Sequence, residues 1–332
     1  MSHPSPAISV LIPAYRVTAY IAEAVESALH QTREDHEVLV VNDGCPDTAN
    51  LERALAPYLS RIRYIVQENG GPGAARNRGL AEARGRYVAL LDGDDRWEPE
   101  YVRDQLRHVE ADPSIELLYP NGMIFGGTPL DGTLGRTVSE AEGPVTFDAL
   151  IEGTKVVTNI AMIKREIVIR AGGWDPAVRH AEDFDLWMRI AALGARIVYN
   201  PSVLAGYRIR PGSQTEDTVS MYAGQIYACE KALRTQSLTA YQLRLLRHRV
   251  AWATAHRHVV KGKAALAAGD AAGAREHFGL AFPLAGNRKL QLILAGLRLF
   301  PAATMAAIRM VEQSRKGNRP MPEPASGTSA AR

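Results

Sequence analysis

Short apolar segments that do not alternate with polar residues, each followed by a helical repeat, dominate the first part of the chain. Ala7 to Ile12 is such a run, stopped by Pro13, and reads as a buried strand. Ile21, Val25, Ala28 and Leu29 then recur at helical spacing. Glu37 to Val41 is a second run, ended by the turn-forming Asn42-Asp43-Gly44, and Leu51, Leu55 and Leu59 mark a second helix. Ile62 to Val66 reads as a third strand, Pro72 opens a helix over 73–83, and Tyr87 to Leu91 is a fourth strand ending at Asp92. Strands apolar on both faces belong in a mostly parallel sheet covered by helices on both sides. In such sheets ligands bind beyond the carboxyl ends of the strands. Asp43 and Asp92 each follow a strand's carboxyl end, so they are expected to share one crevice.

Further along the pattern loosens. Between Ile115 and Val145 a strand gives way to a loop excursion carrying Gly126-Gly127, Pro129 and Asp131-Gly132. A helix is expected over 181–193, closed by Gly194, followed by two short strands, Ala195 to Tyr199 and Val203 to Arg208. After Thr215 alanine, leucine and arginine fall at helical spacing with no β signal. The stretch from Lys261 to Phe282 is similar to one helix–turn–helix of a tetratricopeptide-type repeat, and one copy does not make a solenoid. From Arg315 onward proline, glycine and serine point to a disordered tail.

Composition excludes several classes. A net charge of +3 gives no basic field for nucleic acid, and 46% hydrophobic with 23% charged residues is the balance of a globular protein. Cys45 and Cys229 are too few for a disulfide framework and fit a reducing compartment. The run from Ile8 to Ile12 is too short for a signal peptide's apolar region. Leu290 to Val311 is broken by Gln291, Arg298, Pro301 and Arg309, against an uninterrupted spanning helix, so the expected location is the cytoplasm. That segment reads either as an interfacial helix on the inner face of a membrane or as ordinary core packing.

Five clusters carry chemistry, the first being Ile12-Pro13-Ala14-Tyr15-Arg16 at the end of the first strand. Asp92-Gly93-Asp94, with Asp95 next, places carboxylates two apart around a glycine, where they converge on one hard cation whose other positions are filled by substrate phosphate. An ordinary polar turn capping the next helix explains the same residues. Asn42-Asp43-Gly44 is a turn in any context, and Asp43 is also placed to accept from a base or ribose. Asn69-Gly70 and the helix entry up to Asn77 offer free backbone amides to a phosphate or base, with Arg76 adding a planar fork. No Gly-Lys-Ser/Thr follows, so this is not a P-loop, and no G-x-G-x-x-G follows the first strand. Finally Glu182 and Asp183 open a helix whose Phe184, Trp187, Met188 and Ala191 form a core stripe. Acids there suit the helix dipole, and one of them also suits a general base for a hydroxyl. His248, His256, His258 and His277 show no metal spacing.

In succession these clusters resemble the family 2 glycosyltransferases, inverting enzymes with the A-type (GT-A) nucleotide-sugar fold. The motifs are Ile12-Pro13-Ala14-Tyr15, Asn42-Asp43-Gly44, the Glu68 to Asn77 run, Leu91-Asp92-Gly93-Asp94-Asp95, Gly172-Gly173-Trp174-Asp175 and Glu182-Asp183. The resemblance covers roughly Ile8 to Gly212 and implies an α/β GT-A fold, a Rossmann-like mostly parallel sheet flanked by helices, with a C-terminal helical appendage. Together with the changes of composition after Thr215 and from Arg315, it divides the chain into a catalytic domain over 7–214 (nucleotide-binding half 7–95, acceptor-side half 96–214), an appendage over 215–314 and a tail over 315–332. It implies that Pro13 and Tyr15 line the nucleotide pocket, Asp43 contacts the base, and Asn69, Gly70 and Arg76 help hold the nucleotide. Asp92 would lie near ribose and metal, Asp94 would ligate Mn2+ or Mg2+, and Asp95 would be a further ligand or neighbour. Asp183 would be the catalytic base, with Glu182 beside it. Two departures matter: Cys45-Pro46 follow Gly44 where the family more often has serine, and Arg210 stands where many members carry histidine. Arginine does not ligate a metal, so Arg210 is expected on the diphosphate.

The expected reaction is a single displacement at the anomeric carbon, from a nucleoside-diphosphate sugar (a UDP-sugar first) to a glycan or lipid-linked hydroxyl, in surface polysaccharide or glycolipid synthesis. The rivals are a sugar nucleotidyltransferase, which lacks its Gly-rich loop with lysine here, and a non-catalytic nucleotide-sugar binder, which has no use for a base.

Overall fold

A computed structural model of the chain describes residues 5–135, 143–285, 288–304, 306–307 and 310. The opening follows the expected alternation: β1 (Ile8–Ala14), α1 (Ile21–Leu29), β2 (His36–Asp43), α2 (Thr48–Leu55), β3 (Arg63–Gln67), α3 (Pro72–Glu82) and β4 (Tyr87–Leu90). Then come β5 (Arg96–Trp97), α4 (Tyr101–Ala111), β6 (Ile115–Phe125), α5 (Phe147–Glu152), β7 (Met162–Lys164), α6 (Arg165–Arg170), α7 (Glu182–Ala192) and β8 (Arg196–Arg208). The helices α8 (Thr218–Thr235), α9 (Ala240–Ala268), α10 (Ala271–Ala285) and α11 (Arg288–Leu299) follow.

One sheet of eight strands runs in the order β3-β2-β1-β4-β7-β6-β8-β5. The pairs β3/β2, β2/β1, β1/β4 and β6/β8 are parallel, while β4/β7, β7/β6 and β5/β8 are antiparallel. Period-two alternation splits β1 between two cores. Ile8, Val10 and Ile12 face α1, α2 and α4, whereas Leu11 joins Leu39, Val88 and Leu90 against α3, α5 and α7. Each fully buried Leu or Ile contributes ~1.5–3 kcal/mol, so the sheet is held firmly from both faces.

Two strand limits differ from the sequence expectation. β1 passes through Pro13, which pairs in register with Val41, because β4 stops pairing with β1 at Leu11↔Leu90 and that side no longer needs an amide. The two short strands expected at 195–208 are one strand, β8. It bulges where Pro120↔Asn200 is followed by Asn121↔Val203, and buried Asn200 holds the bulge through Asp104 (2.7 Å), Gln105 (3.1 Å) and the Ser202 amide (3.0 Å).

By its internal contacts the chain forms two compact units, Met1–Gly126 with Gly132–Ala253, and Gly127–Asp131 with Thr254–Arg332. The first unit takes in α8 and the start of α9, whose Ala228, Cys229, Ala232 and Leu246 are buried in the sheet's second core. In the second unit the later part of α9 and α10 form the expected helical hairpin, turned at Gly269 (φ 85°). Gly262 there accommodates the Phe278 ring, 2.6 Å from where a Cβ would stand. Along α11, Leu290, Leu294 and Leu297 are buried in that unit's core while Leu292 is exposed. No described helix is long and apolar enough to cross a membrane. Both cysteines are buried free thiols. The expected tail, 315–332, and Arg309 and Val311 of the apolar segment lie outside the described residues.

Candidate active site

At the carboxyl end of β2, buried Asp43 is the hub of the next glycine-rich turn. Its Oδ1 accepts from Gln67 Nε2 (2.7 Å) and the Gly70 amide (2.8 Å), its Oδ2 from the Gly71 amide (2.9 Å) and Asn69 Nδ2 (3.2 Å). Gly71 sits at φ 88° ahead of Pro72, which starts α3. Gly44, at φ 62°, leaves no room for a side chain, since a Cβ would lie 2.7 Å from the Asn69 nitrogen. The turn is therefore fixed to β2 before any ligand arrives. Tyr15 stands half-exposed just past Pro13, at the end of β1.

From the first turns of α3, Arg76 reaches inward and is only 2% exposed. One Nη donates to Asp92 Oδ1 and the other to Glu182 Oε1, each at 2.6 Å. Burial alone would push this guanidinium down, but Asp92 and Glu182 outweigh it and hold it above its ordinary value. Arg76 thus joins the turn after β4 to the first residue of α7. Asn77, one residue on, exchanges two hydrogen bonds with the backbone of Trp174 (2.6 and 2.8 Å), so α3 also carries the Gly172-Gly173-Trp174-Asp175 turn. Asp175 itself pairs with Lys231 of α8 at 2.6 Å.

Beyond β4, Gly93 packs where a Cβ would meet Val17 at 2.9 Å and the Pro13 carbonyl at 3.0 Å, so only glycine lets the Asp92–Asp95 turn close on the end of β1. Asp92 Oδ2 accepts from Asn159 Nδ2 (3.0 Å). Asp94 Oδ2 is paired with Arg210 Nε at 2.6 Å. Its carboxyl is pushed up by burial and by Asp92, against the pull of Arg210. Asp95 is buried, accepts the Arg208 amide (2.8 Å), and is pushed well up by burial and by Asp92 and Asp94. Arg208 Nε donates to the Asp94 carbonyl (2.7 Å), and its guanidinium stacks over Phe125 and Tyr20. Asp95 therefore ties β8 to the turn, while the side chains of Asp92 and Asp94 stay partly exposed.

These donors fit a hard divalent cation in one way only. Among the described residues no group of three or more His, Cys, Asp or Glu is poised as a metal cage. Buried carboxylates repelling one another are instead short of positive charge, as one or two ligands to a phosphate-bound Mg2+ or Mn2+ should be. Arg210 already supplies part of that charge.

At the start of α7, Ala181 takes φ 58°, ψ 32°, the left-handed region that non-glycine residues avoid. The strain is held in place by α8. Gly224 approaches so closely that a Cβ there would stand 1.8 Å from the His180 carbonyl oxygen. The next residue, Glu182, is buried and spent on Arg76. Asp183 is half-buried, accepts its neighbour Phe184's amide (2.7 Å), and is pushed up to about 7 by burial first and then by Glu182, with Arg76 pulling down. A carboxyl poised there is a proton acceptor near neutral pH.

Arg76, Asp92, Asn159 and Glu182 form one connected network, and Asp94, Asp95, Arg208 and Arg210 a second, joined through the turn. A family model described as glycosyl transferase family 2 matches residues 9–141, and one described as glycosyl transferase family group 2 matches residues 87–260. The chain belongs to glycosyl transferase family 2. The putative teichuronic acid biosynthesis glycosyltransferase TuaG of Bacillus subtilis is 30% identical over 213 residues, 63% of this chain and 81% of that protein. Against three uncharacterized glycosyltransferases of Rickettsia the chain spans only 27–33% of their length. Among solved structures, S. aureus TarS 1–349 in complex with UDP-GlcNAc superposes with TM-score 0.59 at 18% identity, covering 94% of this chain and 92% of that one. The mannosyltransferase PcManGT of Pyrobaculum calidifontis, with GDP-Man and Mn2+, gives 0.56 at 21% identity, covering 94% and 88%. The fold is accordingly that of the GT-A glycosyltransferases.

Of the contributors to this family 2 site, Asn77 falls within the Glu68 to Asn77 motif run and Asn159 at the end of the 156–159 loop, while Gly224 carried no signal as a site residue in the sequence. Gly224 has only the hint that a glycine inside a helix costs stability unless something comes close.

Proposed function

We propose that this chain is an inverting glycosyltransferase that moves a sugar from a nucleoside-diphosphate donor, a UDP-sugar first, to a hydroxyl of a glycan or lipid-linked acceptor in polysaccharide synthesis. The observation that carries the reading is the Arg76 fork. It ties the Asp92 turn, where the diphosphate belongs, to the start of α7, where Asp183 follows a strained corner with its carboxyl raised to about 7. TuaG's part in teichuronic acid biosynthesis supports the polysaccharide setting, and UDP-GlcNAc in TarS supports the donor class. Two free thiols support a reducing, cytoplasmic setting. Exposed Leu292 and Leu299 among Arg288, Lys289 and Arg298 support a peripheral contact of α11 with a membrane surface.

The nucleotide sits across Pro13, Tyr15 and the Asn69-Gly70 turn. Asp43 holds that turn, and a base contact with its carboxylate replaces one of the turn's own donors. Arg210, whose Nη2 has no hydrogen bond among the described residues, pairs with the diphosphate. Asp94, with Asp92 beside it, would hold Mn2+ or Mg2+, which supplies neutralisation of the charge on the departing diphosphate. PcManGT's Mn2+ supports that choice of ion.

Asp183 takes the proton of the acceptor hydroxyl as its oxygen bonds to the anomeric carbon, and the carbon–phosphate oxygen bond breaks with its electron pair leaving on the nucleoside diphosphate. One displacement inverts the configuration and needs no nucleophilic carboxylate on the protein. Glu182 positions Arg76 and touches no reacting atom.

A nucleotide-release assay over UDP-, GDP- and dTDP-sugars, with Mn2+, Mg2+ or EDTA, tests the reading. The expected result is release from one donor class that Asp94→Ala abolishes. Binding without release, in the presence of a panel of acceptor sugars, would instead make the chain a nucleotide-sugar binder, and pyrophosphate release would make it a nucleotidyltransferase.

A further inference from the structure

At the other end of the sheet, where β1 and β4 begin (Ile8↔Tyr87), lies a cavity of about 630 Å3. Its wall carries Arg33, Arg84, Arg86 and Arg165, with Tyr87 and Glu110 among them. None of the residues assigned to sugar transfer touches it.

Arg33 is committed, bonding Glu110 at 2.7 Å and Asp35 at 3.5 Å. The other three guanidiniums have no ion pair among the described residues, and the Arg165 Nε is buried without a partner. They are nonetheless placed by the backbone. The Arg84 and Gly85 amides donate to Ser9 Oγ (3.1 and 2.8 Å), and the Arg84 amide also to Glu37 (2.7 Å). Gly85 admits no side chain, since a Cβ would stand 2.5 Å from the Ser9 nitrogen. Arg165 joins the group by donating its amide to the Arg86 carbonyl at 2.9 Å. Three guanidiniums thus line one hollow without a carboxylate partner among the described residues, the Arg86 group lying over the Tyr87 ring.

The second observation is Tyr87. The residue is 3% exposed and its hydroxyl is buried with no hydrogen-bond partner. A buried donor with no acceptor calls for one, and Tyr87 lines this hollow beside Arg86, whose guanidinium lies 5.3 Å from the Tyr87 ring centroid. Guanidinium forks and a phenol are the donors that fit phosphate oxygens.

We propose that this cavity is a second site, remote from sugar transfer, that binds a phosphate or diphosphate group through Arg84, Arg86, Arg165 and the Tyr87 hydroxyl. That group belongs either to a soluble phosphate compound or to an anionic lipid headgroup. Its existence does not depend on the transferase reading.

The test uses the full chain and two probes: inorganic pyrophosphate by calorimetry, and flotation with vesicles of phosphatidylglycerol in phosphatidylcholine against phosphatidylcholine alone. Wild type binds pyrophosphate, the anionic vesicles or both. The Arg86→Gln/Arg165→Gln variant loses about a hundredfold in affinity for the bound probe, and Tyr87→Phe about tenfold. Pyrophosphate binding alone assigns a soluble compound; binding to anionic vesicles assigns a headgroup. Arg84→Gln, an exposed position, provides a second reading of about tenfold if the double variant does not fold. Failure of wild type to bind either probe overturns the proposal, as does binding that all three variants leave intact, which would belong to the carboxyl end of the sheet for pyrophosphate or to α11 for vesicles.

Discussion

If Asp183 is the base, the rate of transfer must follow its ionisation, and the structure says where. Its carboxyl is pushed up to about 7, by burial first and then by Glu182. Below that value the protonated form accumulates, and kcat should fall about tenfold per pH unit, so that about a tenth of the plateau rate remains near pH 6. The plateau is reached around pH 8, where nine in ten or so of the molecules carry the carboxylate. Glu182→Gln removes the like charge and leaves Arg76 less neutralised, and both changes favour the ionised form, so the midpoint must move to lower pH. The assay is nucleotide release under saturating donor and acceptor, with the metal concentration held constant across the pH range. A profile flat from about pH 5.5 to 8, or a midpoint that Glu182→Gln leaves in place or raises, would refute the argument. Stability gives an independent check with the opposite sign. A carboxyl raised in the folded state contributes stability that is present at low pH and lost as pH rises through the folded value. Asp183→Asn should therefore abolish transfer yet melt above wild type at about pH 8, with that advantage gone near pH 4.

Other perturbations are equally specific. Arg76→Met leaves Asp92 and Glu182 without their shared cation and should cost about 3–5 kcal/mol in urea unfolding, with donor binding lost. Gly224→Ala forces a methyl toward the His180 carbonyl and should cost about 1–3 kcal/mol, lowering kcat more than it raises the donor KM because the α7 corner moves. Ala181→Gly relieves the left-handed strain and should stabilise by about 1 kcal/mol in thermal unfolding. Asp43→Asn turns one acceptor oxygen into a donor facing the Gly71 amide or its neighbours, and should raise the donor Kd about tenfold by calorimetry while costing about 1–3 kcal/mol in thermal unfolding.

What the sequence disclosed and what it hid follow from the range of the interactions involved. The parallel half of the sheet was legible because its signal is local: an apolar run such as Leu39–Val41 needs helices on both faces wherever it lies. Asp43 and Asp92 were legible as strand-end residues for the same reason, since the end of a strand is a local event. The second half was read less well. Nothing near Tyr199 announces that Asn200 will satisfy Asp104 and Gln105 from another element and so carry β8 through a bulge. The division after residue 214 rested on a change of composition, whereas the compact unit is decided by which small residues of α8, Ala228 and Ala232 among them, reach the sheet's core.

The same distinction separates the acids of the site from what makes them useful. Sequence patterning places Glu182 and Asp183 in the first turn of a helix, and any helix is comfortable with acids there. What gives the two neighbours different tasks is a guanidinium more than a hundred positions away, which takes Glu182 as its partner at 2.6 Å and leaves Asp183 to feel the burial and the repulsion. Arg76 in turn can reach both carboxylates only because Gly73 and Gly79 let α3 lie close, Gly73 against Trp174 and Gly79 against Leu11, where a Cβ would come within 3.2 and 2.9 Å. The assignment of base and positioning residue within one dipeptide is therefore a consequence of helix-to-sheet distance, and enlarging Gly79 should blur it: Gly79→Ala is expected to shift the acidic limb of the pH–rate profile while leaving the acids themselves untouched.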